Sequence, residues 1–96
     1  MKFSYAEYVS VFKALSDETR IRIVKLLCDG EQCAGNLLRF FDITQPTLSY
    51  HIKILTECGL LNARKEGTWV FYSINPQVGA MVKCFLDDAA ADSCKE

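Results

Sequence analysis

The stretch TQPTLSYHIKIL, Thr44–Leu55, decides how the chain is read. It opens on a hydroxyl residue able to cap a helix, and Pro46 falls in the first turn, where a missing N–H costs nothing. Leu48, Ile52 and Leu55 recur at i, i+4 and i+7, so one face of this helix is apolar. The positions off that face hold Gln45, Thr47, Ser49, Tyr50, Lys53 and the only histidine of the chain, His51. A helix that simply faces water favours Glu, Lys, Arg and Gln at such places. Hydroxyls, an amide and an imidazole are instead short-range donors and acceptors.

Working outward, Tyr5, Tyr8, Phe12 and Leu15 at i, i+3, i+7 and i+10 predict a first helix. Ser16 is the expected cap of a second, running from Asp17 to about Cys28, with Asp17 and Glu18 in its positive first turn. Ile21, Ile23, Val24, Leu26 and Leu27 make that helix apolar nearly all round, which predicts the buried centre. A short third helix is expected from Gln32 to Phe40, and Asp42-Ile43-Thr44 turns tightly into the stretch quoted above. Gly59 ends that helix. In LLNARKEGTWVFYSI the period then shortens, with a charged, Gly-containing turn at Lys65–Thr68 and an aromatic β-rich run, which predicts a hairpin. Asn75-Pro76 opens a last helix striped with Val78, Val82, Phe85 and Ala89. Apolar stripes on both terminal helices predict burial against a second copy.

Ninety-six residues bound a single domain over 1–96. No apolar run is long enough to span a membrane, and the amino-terminal pattern lacks the core of a secretory signal, so a cytoplasmic protein is expected. Cys28, Cys33, Cys58, Cys84 and Cys94 are odd in number, which favours free thiols, or thiolates on a soft ion, over a disulfide framework. A net charge of −1 argues against a protein that coats nucleic acid indiscriminately. The distribution matters more, being +1 over residues 44–73 and −2 over residues 74–96. No paired carboxylates, Ser–His–Asp set, CxxC or Gly-rich phosphate loop points to an enzyme.

Helix, tight turn, helix and hairpin is the order of a winged helix-turn-helix. The fold expected is mainly α with a β-hairpin wing, five helices in all, the hairpin between the fourth and fifth, assembled as a homodimer. Gln45, Thr47, Ser49, Tyr50 and His51 are the candidates for reading base edges. Lys53, with Arg64 and Lys65 from the wing, is placed to meet phosphates. The implied partner is double-stranded DNA.

The segments FKALSDETRIRIVKLL, ITQPTLSYHIKILTECGLL and RKEGTWVFYSIN, within Phe12 to Asn75, resemble the ArsR/SmtB family of metal(loid)-responsive repressors. The resemblance covers about two-thirds of the chain. It implies a homodimer on an inverted-repeat operator, reading DNA with Gln45–Leu55 and a wing at Leu61–Ser73, and released when an effector binds cysteines or histidines. Arsenic sensors of the family carry E-L-C-x-C-x-x-C, whereas this chain has EQCAGNLL, with Gly35 and Leu38 where the second and third thiols would stand. Cys33 is therefore the one matched ligand, and Cys28, Cys84 and Cys94 are the candidates to join it. The family's other site, on the last helix, needs histidine beside aspartates such as Asp87 and Asp88, and none is there. The expected effector is a thiophilic ion, As(III) or Sb(III), with no cofactor required for folding. The alternatives are a thiol-based redox or reactive-sulfur sensor of the same fold, and a winged-helix protein-interaction module.

Overall fold

The computed structural model describes residues 3–94, with side chains through residue 90. The elements run α1 (Tyr5–Leu15), α2 (Glu18–Leu27), β1 (Gln32–Cys33), α3 (Ala34–Leu38), α4 (Gln45–Glu57), β2 (Leu61–Glu66), β3 (Trp69–Ile74) and α5 (Pro76–Cys94). This is the expected winged helix-turn-helix with five helices. Among the described residues no helix is long and apolar enough to cross a membrane.

The helix ends follow local chemistry. Ser4 and Glu7 form a reciprocal capping box on α1. The cap of α2 is Asp17, one residue later than expected, its carboxylate accepting the Arg20 backbone N–H at 3.1 Å. Ser16 instead closes α1, its hydroxyl donating to the Lys13 carbonyl at 2.7 Å. Thr44 caps α4 as expected, and Pro46 sits in the first turn. At the other end Gly59, with φ of 88°, takes the left-handed conformation that lets the chain leave the helix. Asn75 ties that exit to the start of α5: its side-chain amide donates to the Gly59 carbonyl at 2.9 Å, and its Oδ1 accepts the Gln77 N–H at 3.0 Å.

The sheet holds one strand more than the hairpin expected. Its order is β1-β3-β2, antiparallel throughout. Gln32 and Cys33 pair with Tyr72 and Phe71. They therefore belong to the sheet and not to the third helix, which shrinks to Ala34–Leu38. Two residues are too few to show a strand period, and Gly35 weakens the helix that would otherwise absorb them. The hairpin turns on Gly67-Thr68 alone, and Gly67 has φ of 63° in a position suited to glycine.

The core joins Ala14, Ile23, Leu27, Leu37, Leu48, Ile52, Leu55, Leu60 and Leu61. It takes one face of each of the first four helices and the root of the wing. The second helix is amphipathic, not buried all round, since Ile21 is exposed while Ile23 and Leu27 are enclosed. On α1 the buried residues are Val11 and Ala14, and Tyr5 is 85% exposed, so the aromatic stripe is offset from the face that packs. Tyr8 and Phe12 meet Phe85 of α5 with ring centroids 5.0 and 5.4 Å away. The terminal stripes thus cover each other within one chain, in part, and still leave Phe85 and Leu86 exposed.

Leu55 is wholly buried, so Leu55→Ala is expected to lower unfolding free energy by about 2–5 kcal/mol in urea titration.

Candidate nucleic-acid interface

Because Leu48, Ile52 and Leu55 are held in the core, the other side of α4 is forced outward. Gln45, Pro46, Thr47, Ser49, Tyr50 and Lys53 are all exposed, Tyr50 to 59%. The leading turn is fixed by Thr44, whose Oγ1 accepts the Thr47 N–H at 3.3 Å and whose hydroxyl donates to Thr47 Oγ1 at 3.0 Å. The positive end of the helix is thereby directed out of the protein along with Gln45.

His51 does not join that face. Its side chain is only 12% exposed, and its Nδ1 receives a hydrogen bond from Arg20 Nη1 at 3.1 Å. Its placement differs from that of the other candidates for reading bases: at 100° per residue it lies on the flank of α4 next to the apolar stripe, turned toward α2. Asp17 Oδ2 is 3.9 Å from the same ring nitrogen. The Arg20 backbone N–H, with Arg20 and His51 beside it, holds the Asp17 carboxyl below its usual value of 3.8.

The two wing cations differ. Lys65 is exposed and enters no ion pair among the described residues. Arg64 lies over the Phe71 ring at 4.9 Å, bonds Glu31 through Nη2 at 2.8 Å and Nε at 3.0 Å, and also pairs with Glu66. That hydrogen bonding from Arg64 holds the Glu31 carboxyl below the ordinary carboxylate range. Arg64 is therefore a cation already neutralised by two carboxylates, which its place in the sequence conceals. Trp69, 62% exposed at the wing tip, is a surface aromatic that sequence reasoning passed over as part of a β-rich run. Arg20 was passed over as well, since nothing local connects it to a residue 31 positions away.

A model described as bacterial regulatory protein, arsR family, matches residues 17–63. The arsenical resistance operon repressor of Escherichia coli is 43% identical over 82 residues, covering 84% of this chain and 70% of that protein. The chain belongs to the ArsR family. Among solved structures, an ArsR-like transcriptional regulator from a Rhodococcus species superposes with a TM-score of 0.81 at 31% identity, over 95% of this chain and 86% of that one. A homodimeric winged helix-turn-helix DNA-binding domain from Mycobacterium bovis superposes with a TM-score of 0.74 at 27% identity, over 93% of this chain and 82% of that one.

In this ArsR-family regulator the four described thiols sit on or beside four different elements. Cys28 is exposed at the end of α2, Cys33 is buried in β1 opposite Phe71, Cys58 is half-buried and donates to the Leu55 carbonyl, and Cys84 is exposed on α5. The side chain of Cys94 lies outside the described residues. No three His, Cys, Asp or Glu side chains that could hold an ion come together among the described residues. Cys28, Cys33 and Cys84 of one chain are thus not a ligand set by themselves.

Since Cys33 is only 9% exposed, a brief alkylation pulse on the reduced protein is expected to modify Cys28 ahead of Cys33, as read by peptide mass spectrometry.

Proposed function

We propose that this ArsR-family regulator is a transcriptional repressor that binds an inverted-repeat operator as a homodimer. The observation that carries the reading is the polar outer face of α4, held out by its own buried stripe beside a wing. Gln45, Thr47, Ser49 and Tyr50 supply donors and acceptors to base edges, and Lys53 and Lys65 supply charge to phosphates. Two copies would set their α4 helices roughly 34 Å apart, one turn of DNA, over the two half-sites. The terminal helices, with Phe85 and Leu86 still exposed, are the natural contact between copies, and the homodimeric relative supports that arrangement.

Footprinting on the promoter of its own operon tests the proposal. Protection of an inverted repeat is the expected result, and no protection at low salt with reduced protein would overturn it. Lys53→Ala and Lys65→Ala should each lower the salt slope of binding by about 1.8, since the dimer loses two phosphate contacts at about 0.9 each. Arg64→Ala should lower it less, because Glu31 and Glu66 already occupy that guanidinium.

For the effector, a thiophilic species fits best, As(III) or Sb(III) first. The support is the family, the relatives named for arsenical resistance and five cysteines beside a single histidine. A soft trigonal ion wants two or three thiolates. With Cys33 as one, the others would come from Cys94 or from the second copy. Arsenite is expected to release the operator complex, and Cys33→Ser to blunt that release. Equal release by the mutant would remove Cys33 from the account.

A further inference from the structure

His51 sits in the middle of the DNA-facing helix, yet its ring is committed to the protein. Arg20 Nη1 donates to its Nδ1 at 3.1 Å, while Arg20 Nε donates to the Ala14 carbonyl at 2.6 Å. Ala14 lies in the last turn of α1, whose carbonyls have no partner within the helix. Arg20 belongs to the first turns of α2, and the Asp17 cap of the same helix lies 3.9 Å from the imidazole. One guanidinium therefore ties together the end of α1, the start of α2 and the centre of α4. The contact is part-buried, so water competes with it only weakly. On the outer side the ring of Tyr50 lies 5.4 Å from that of His51, and Tyr50 is one of the exposed groups of the reading face.

We propose that Arg20, acting through His51 Nδ1, is a positioning residue that sets how α4 presents its outer face, with Tyr50 as the nearest group to feel it. The inference rests on the DNA-binding reading above and deepens it. The apolar stripe of α4 decides which face is buried, but aliphatic contacts are non-directional and fix small rotations about the helix axis less sharply. A hydrogen bond to a flank residue is directional and fixes that rotation. The bond also dictates a tautomer. An arginine can only donate, so His51 Nδ1 accepts and the ring proton resides on Nε2.

Because His51 is the only histidine of the chain, its tautomer can be read without assignment, from the nitrogen-15 shifts of the full-length protein at mildly alkaline pH. The Nε2–H form is expected as the sole neutral tautomer in the wild type, and a share of the Nδ1–H form in Arg20→Gln. Binding to the operator repeat should weaken roughly tenfold in Arg20→Gln and His51→Phe. His51→Asn, whose amide oxygen can take the place of Nδ1, should restore it. A proton on Nδ1 in the wild type would overturn the proposal, as would wild-type affinity in Arg20→Gln. Equal binding by His51→Asn and His51→Phe would do the same, and that comparison still decides if Arg20→Gln does not fold. If the wild type protects no inverted repeat, it is the DNA reading that falls, while the tautomer still reports on the contact.

Discussion

Leu48, Ile52 and Leu55 press one face of α4 into the centre of the molecule, and the rest of the structure is arranged around that contact. Each is almost or wholly enclosed, by Ile23 and Leu27 of α2, Leu37 of α3 and Leu60 and Leu61 at the base of the wing. Burying a side chain of this size is worth about 1.5–3 kcal/mol. Three together are comparable with the whole net stability of a small domain, about 5–15 kcal/mol. With that face committed, the opposite one has no freedom to turn inward. The display of Gln45, Ser49, Tyr50 and Lys53 is thus a consequence of the core.

Electrostatics are tuned more finely than the cation count suggests. Among the described residues Lys53 and Lys65 stand free of ion pairs, but Arg64 is shared between Glu31 and Glu66. An exposed ion pair contributes little to stability. The pairing here also engages three of the five N–H donors of the Arg64 guanidinium, on Nε, Nη1 and Nη2. Glu31 precedes β1, and the register sets Cys33 and Arg64 both opposite Phe71, on one face of the sheet.

The terminal helices illustrate a different constraint. Their aromatic residues make one cluster of Tyr8, Phe12 and Phe85 inside the chain, and Met81 of α5 is buried. The helix α5 is nevertheless longer than α1, and Phe85 and Leu86 stay exposed.

Much of this was legible in the residues themselves. Period and punctuation are local properties, so the Thr44 cap, Pro46, the i, i+4, i+7 stripe, Gly59 and the Gly67 turn located α4 and the wing. The same residues established the winged helix-turn-helix and the outward placement of most of the α4 face. What local pattern could not carry were contacts between residues far apart in the chain. The two-residue strand β1 exists only because β3 offers it a partner, and the Glu31–Arg64 pair only because the sheet brings its ends together. His51 looked like one more polar group on an exposed face. Only the packing of α2 against α4 turns it toward Arg20, because the neighbour that satisfies a side chain is chosen by the folded arrangement and not by spacing along the sequence.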